Sequence, residues 1–326
     1  MNICIVSGGR VPRKFYGGTE RVVYWLVREL ALMGHKVTMI APEGSSHPGA
    51  AKVITYKAPD QNINQNSIDL EALVPEDVNV VHIHFAYSLS LSKPVLKTVH
   101  GYPFHHTGRK EYASPDEFDQ ATSFVSDSHR RVCGLPDNPF VYNGLDPQEY
   151  TFQKNKGDYL LFLGKVDWNV KGLSLAIKIS QETGTRLVIA GDFLDPSYLE
   201  RELKPQLSSN IIYTGQVGGV KKARLLAGAK ALLFPTLWPE PFGLVSIEAM
   251  VSGTPVLGTK NGALPEVIVH GKTGFLASRP SETVEHLHML KKIKPEDCRR
   301  HVLENFTSRI MAEKYLFLYS KICGQR

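Results

Sequence analysis

The sequence predicts an α/β protein built from two doubly wound, mainly parallel sheets. Short apolar runs alternate with stretches of helical period along the whole chain, the pattern of strands joined by crossover helices. At 326 residues the chain exceeds one ordinary core, so two domains of roughly 150 residues are expected. Both halves follow the same order of strand, loop and helix, with no internal sequence repeat.

In the first half the strand candidates are 2–7, 36–41, 79–84, 95–100, 123–126 and 139–142. The first helix is marked by Thr19 as cap, by Val22, Val23, Leu26 and Leu30 at helical spacing, and by Gly34 as terminator. A second series begins after Pro147. Strands near 159–164, 186–190, 211–214, 230–234 and 255–258 alternate with helices near 172–183, 218–228, 244–252 and 263–269. The polar segment Tyr150–Asp158 reads as the linker, which sets domains at 1–149 and 150–305. Ligands of doubly wound sheets bind beyond the C-terminal strand ends, so two sheets facing one another would hold substrate in the cleft between them.

Composition narrows the class. Hydrophobic content of 42% and charged content of 21% are those of a soluble globular protein. No apolar run approaches the roughly 18 residues that span a bilayer. The opening Met1–Val6 reads as a strand, with neither the basic region nor the cleavage site of a signal peptide. Cys4, Cys133, Cys298 and Cys323 are scattered, which suggests a reducing cytoplasm and no structural zinc. Residues 1–150 carry 14 Lys/Arg and 16 Asp/Glu; residues 151–326 carry 24 and 16. Much of the excess lies in the tail, at Lys291, Lys292, Lys294, Arg299 and Arg300, without the interleaved aromatics of a nucleic-acid binder. A solvated face is the favoured reading of that tail, and a peripheral membrane contact has weak support.

The chemistry concentrates around Glu240-Pro241-Phe242-Gly243-Leu244-Val245-Ser246-Ile247-Glu248. Pro and Gly mark a tight turn, and good helix formers follow from Leu244. A helix starting near Gly243 offers free amides and a positive dipole end to a phosphate or diphosphate. Glu240 stands in the loop beside that site, while Glu248 lies one to two turns inside the helix. Carboxylates suit hydroxyl groups on either side of the anion. A sugar, a diphosphate and a ribose in line satisfy all three parts, which describes a nucleotide sugar.

The surrounding residues carry a family resemblance. They are the Glu240–Glu248 spacing with its Pro-Phe-Gly turn, Ser252-Gly253-Thr254-Pro255-Val256, Leu264-Pro265-Glu266-Val267-Ile268 and Gly271-Lys272-Thr273-Gly274-Phe275. Upstream the match continues through Gly17-Gly18-Thr19-Glu20, Tyr142-Asn143-Gly144-Leu145-Asp146, Leu161–Lys165 and Leu187–Asp192. The chain resembles the retaining glycosyltransferases of family 4, most specifically over 159–276. That resemblance implies the GT-B fold: two Rossmann-like domains facing a central cleft, the first on the acceptor side and the second binding the donor. The terminal helix, 306–326, would cross back to the first domain, with Met311, Tyr315 and Tyr319 at helical spacing.

Carried over residue by residue, the resemblance gives Glu248 the ribose hydroxyls. Glu240 takes the transferred sugar, with the amides of Phe242 and Gly243, and the amides of Leu244 and Val245 hold the diphosphate. Lys165 and Lys171 neutralise the donor phosphates as the leaving group gains charge. The family usually has Arg at the first of these positions, and Lys lacks its bidentate fork. His100 contacts the donor sugar. The Gly17-Gly18 pair lets backbone approach a phosphate, with Arg13 or Lys14 in reach, and backbone near Val217 reads the base.

Other features sharpen or limit the reading. Gly218-Gly219 offers no carboxylate to a guanine amino group, which leans toward UDP. No Asp-x-Asp triplet exists in the chain, so metal-independent transfer without a cofactor is expected. His82 and His84 share a strand face and His105-His106 lie in a loop; polar packing is a better reading of these than metal binding. Asp127, Ser128 and His129 read as a surface loop. The expected activity is transfer of a hexose-type sugar to an acceptor hydroxyl on a small molecule, glycan or lipid-linked molecule. Competing readings are a GT-B phosphorylase or epimerase, and an inert nucleotide-sugar-binding protein. Residues 43–80 and 102–120, expected to flank the acceptor, match no interpretable pattern.

Overall fold

The computed structural model describes residues 1–13, 15, 17–57, 68–85, 91–102 and 121–324. The chain divides into two compact units, the first formed by Met1–Arg13, Gly17–Leu145 and Thr307–Arg326, the second by Asp146–Phe306.

In the first unit, strands β1 (Asn2–Val6), β2 (Lys36–Pro42), β3 (Lys52–Tyr56), β4 (Val80–Ile83), β5 (Val95–Thr98) and β6 (Thr122–Ser123) form one parallel sheet in the order β3-β2-β1-β4-β5-β6. Its helices are α1 (Gly18–Leu32), α2 (Leu70–Leu73), α3 (Asp127–Val132) and the terminal α11 (Ser308–Ile322). Strand β1 is the switch point, pairing with β2 on one side and β4 on the other. Val22, Val23, Leu26 and Leu30 of α1 are fully buried, as their spacing requires.

The second unit repeats the plan. Strands β7 (Tyr159–Leu163), β8 (Arg186–Ala190), β9 (Ile211–Tyr213), β10 (Ala231–Phe234), β11 (Val256–Thr259) and β12 (Gly274–Ala277) run parallel in the order β12-β11-β10-β7-β8-β9. The helices are α4 (Leu173–Thr183), α5 (Pro196–Tyr198), α6 (Gly219–Gly228), α7 (Leu244–Val251), α8 (Leu264–Val267), α9 (Pro280–Met289) and α10 (Pro295–Asn305). The chain leaves the first unit after Leu145 and returns to it at Thr307, and these two points lie side by side. Leu145 bridges Thr307, and the Ser308 amide donates to the Leu145 carbonyl at 2.8 Å. Gly144 makes this approach feasible, because a Cβ there would lie 2.2 Å from the Thr307 carbonyl oxygen. Helix α11 then packs on the first unit through buried Met311, Tyr315 and Tyr319.

Several sequence expectations are corrected. Thr19 does not cap α1: the helix begins at Gly18 after Gly17, whose φ of 146° favours glycine, and no side chain caps it. Residues 139–142 form no strand; Phe140 makes a single bridge to Phe124, because Pro139 has no N–H to extend a ladder. Strands β3 and β12 were not anticipated. The first is a half-exposed edge strand, and the second is four residues opened by a glycine. The 263–269 helix shrinks to Leu264–Val267. The polar 150–158 segment lies inside the second unit and starts at buried Tyr150. His129 is no surface residue: it sits in α3, fully buried, with Nε2 3.1 Å from the Gly101 carbonyl.

Candidate active site

Candidate side chains of the second unit follow the C-terminal ends of β7, β8 and β10, around the switch point where β7 lies between β10 and β8. After β10 the chain turns through Pro235–Gly243 into α7. Gly243 is the N-cap, with φ 82°, and a Cβ there would come within 2.9 Å of Leu264. The glycine therefore sets both the left-handed turn and the depth at which the helix enters. At the other end of α7, the half-buried Lys156 ammonium donates to the Ala227 and Ser252 carbonyls and to Thr254 Oγ1. Burial pulls its pKa down to about 8.

Glu240 and Glu248 are both buried, and each is held by a lysine. Glu240 Oε2 accepts from Lys171 Nζ at 2.9 Å and from the Trp238 indole N–H at 2.7 Å. The Lys171 ammonium also stands 4.9 Å from the centroid of the Trp238 ring. Behind Glu240 the chain folds back at Gly262, whose φ is 59° and where a Cβ would lie 2.2 Å from the Glu240 nitrogen. Lys171 ends a short 3-10 turn, Asn169–Lys171, and the left-handed Gly172 redirects the chain into α4. Glu248 Oε1 accepts from Tyr150 Oη and Lys222 Nζ, each at 2.6 Å. Fixed carboxylates with satisfied charge suit ligand hydroxyls, because little ordering cost remains on binding.

Lys165 follows β7 and pairs with Asp192 Oδ2, after β8, at 3.0 Å. Gly164 and Gly191 let these strand ends meet, since a Cβ on Gly191 would lie 1.7 Å from the Gly164 carbonyl oxygen. Val217 is buried just before Gly218, the N-cap of α6, and α6 carries no acid in its first turn. The amides of Leu244 and Val245 open α7, preceded by Phe242, which is buried. The structure therefore groups Lys171 with Glu240, and Glu248 with Lys222. Lys165 is engaged by Asp192.

Three side chains were missed by sequence reasoning. Tyr150 and Lys222 converge on Glu248 from 98 and 26 residues away, and no local pattern foretells either. Trp238 is two residues from Glu240 and was legible in principle as a half-buried indole needing an acceptor.

The remaining candidates lie in the first unit. Gly17 caps α1, but the space beside it holds the Glu20 side chain, which ion-pairs with Arg13 at 3.5 Å. Lys14, His105 and His106 lie outside the described residues. His100 follows β5, and its Nε2 is 2.9 Å from His84 Nδ1. Burial, reinforced by repulsion from His129, lowers its pKa to about 3. The rings of His82 and His84 lie 39° from parallel with centroids 4.0 Å apart, and burial holds both imidazoles neutral.

Comparison with known proteins agrees with this architecture. A family profile described as "Glycosyl transferases group 1" matches residues 148–304, and one described as "Glycosyltransferase Family 4" matches residues 16–149. An N-acetyl-alpha-D-glucosaminyl L-malate synthase of Bacillus anthracis is 25% identical over 362 residues, covering 93% of each chain. An uncharacterised glycosyltransferase of Methanocaldococcus jannaschii is 30% identical over 191 residues, which span 51% of this chain and 48% of that one. The crystal structure of AviGT4, a glycosyltransferase involved in avilamycin A biosynthesis, matches with TM-score 0.77 and 27% identity over 100% of this chain and 98% of that one. The chain belongs to glycosyltransferase family 4 and is a glycosyltransferase of the GT-B fold.

Proposed function

We propose that the protein moves a hexose-type sugar from a nucleoside diphosphate sugar to an acceptor hydroxyl, with retention of configuration and without a metal. The observation that carries this reading is the pair of lysine-held carboxylates at α7, Glu240 with Lys171 and Glu248 with Lys222. Glu248 takes the ribose hydroxyls and Glu240 those of the sugar. The amides of Leu244 and Val245 take the diphosphate between them. Lys171 and Lys165 supply the positive charge that a divalent ion would otherwise bring. UDP is favoured over GDP, because neither Gly218 nor the first turn of α6 supplies a carboxylate for a guanine amino group. Four free cysteines suit a reducing cytoplasm.

In the proposed step the bond between C1 and the phosphate oxygen breaks, and the diphosphate keeps the electron pair. The acceptor oxygen bonds to C1 on the same face and passes its proton to the departing phosphate. No side-chain nucleophile enters; the protein positions the partners and stabilises the growing charge. The test uses water as acceptor. A UDP-α-sugar is hydrolysed by the protein in EDTA, and the first-formed anomer is followed by proton NMR. Retention without metal predicts the α-anomer first and a rate indifferent to EDTA; an initial β-anomer, or loss of activity in EDTA, refutes the corresponding part.

A further inference from the structure

Behind His100 lies a layer of buried polar side chains that the transfer step does not use. His82, on β4, is gripped at both nitrogens: Nδ1 is 2.6 Å from Tyr319 Oη, and Nε2 is 2.7 Å from Thr98 Oγ1. Thr98 in turn meets Ser123 Oγ at 2.6 Å and Tyr315 Oη at 3.3 Å. His82 therefore cannot turn, and its ring covers that of His84. His84 lies between His82 and His100, only 3% exposed. The rings of His84 and His100 are 25° from parallel with centroids 5.2 Å apart, as an N–H to N hydrogen bond at 2.9 Å allows.

One proton occupies that contact, because burial keeps both imidazoles neutral. Which ring owns it follows from the far side of His84. Its Nε2 is buried with no hydrogen-bond partner among the described residues. If His100 donated, His84 would carry its own proton at Nε2, a buried N–H with nothing to donate to. If His84 donates from Nδ1, only a lone pair is left unpaired, and native interiors tolerate that far better. His84 is the donor, so the proton of His100 must sit on Nδ1.

We propose that His84 is a positioning residue that fixes His100 as the Nδ1–H tautomer, making His100 a hydrogen-bond donor to a substrate oxygen. The last clause rests on the transfer reading, under which His100 contacts the sugar; the tautomer does not. The chain from Tyr319 through His82 and His84 ties α11 to the orientation of that donor.

The test is a long-range proton–nitrogen correlation spectrum of the full, nitrogen-15-labelled chain without substrate, with the His100 ring assigned by its loss in His100→Gln. The expected spectrum has a pyrrole-type Nδ1 and a pyridine-type Nε2 at His100. The reverse pattern overturns the proposal, and the wild-type and His100→Gln spectra decide it if a His84 variant does not fold. His84→Phe keeps a ring but removes the donor. His100 then loses the hydrogen bond that holds its ring, and kcat/KM for the nucleotide sugar should fall about tenfold, the worth of one hydrogen bond. His84→Asn, whose amide can replace the Nδ1–H, should keep the tautomer and restore most of the rate. Unchanged sugar kinetics in a folded His84→Phe overturns the positioning role. Unchanged sugar kinetics in His100→Gln overturns the substrate contact while leaving the tautomer measurement to stand or fall by itself.

Discussion

Replacing Lys171 by Met separates the two jobs its ammonium could do, bracing Glu240 or neutralising donor phosphate. The two charges are 2.9 Å apart with side chains only 10% and 11% exposed. At that distance and an effective dielectric constant of about 20, their attraction is on the order of 6 kcal/mol before desolvation is charged against it. Removing one partner of such a pair typically destabilises by about 3–5 kcal/mol, because the survivor stays buried without its counter-charge. Lys171→Met should therefore lose about that much in urea unfolding, leaving Glu240 with the Trp238 indole as its remaining donor of the two. The double variant Lys171→Met/Glu240→Gln removes the stranded charge and should recover most of the stability. Activity should not follow. Loss of the phosphate-facing cation predicts at least a hundredfold fall in kcat/KM, about 2.7 kcal/mol, in the single and the double variant alike. Both are read by donor hydrolysis in water as acceptor. If the double variant regains activity along with stability, Lys171 is a structural brace and its assignment to the phosphates is wrong.

The remaining predictions concern ribose recognition and acid sensitivity. Glu248→Gln keeps the side chain's shape but weakens two charge-assisted acceptors, so donor KM should rise about tenfold or more with kcat little changed; unchanged donor kinetics would sink the ribose assignment. The histidine layer should make the fold acid-sensitive. His82, His84, His100 and His129 all have pKa values below the ordinary 6.5, His100 at about 3 and His129 at about 4, chiefly through burial. Below pH 6.5 the unfolded chain takes up protons that the native chain refuses. Stability is therefore full above pH 6.5 and lost as pH falls toward the folded values, by about 1.4 kcal/mol per pH unit for each imidazole once well below 6.5. Urea unfolding at pH 7.5, 6.5 and 5.5 measures this, and equal stability at all three would refute it.

Much of the fold was legible because its signals are local. Apolar period marked α1, α4, α6 and α7, and a glycine marked the turn at Gly243. The pairing of Glu240 and Glu248 around a helix start could be read from nine consecutive residues. What stayed hidden depends on partners brought together by the sheet order. Tyr150 looked like part of a polar linker, yet its hydroxyl reaches Glu248 because β7 and β10 are neighbours. His129 looked exposed in a charged run, and only the packing of Phe124 and Tyr102 against its ring explains its burial. Edge strand β3 has too little burial to imprint a pattern.

The central claim is that the second unit binds a nucleotide sugar through the α7 carboxylates and Lys171. Calorimetric titration of the full chain against UDP, GDP, ADP and their sugars tests it most directly. The account predicts one-to-one binding with UDP and UDP-sugars preferred, weakened in both Glu248→Gln and Lys171→Met. A folded chain that binds none of these nucleotides, or binds one with equal affinity in all three proteins, would contradict it.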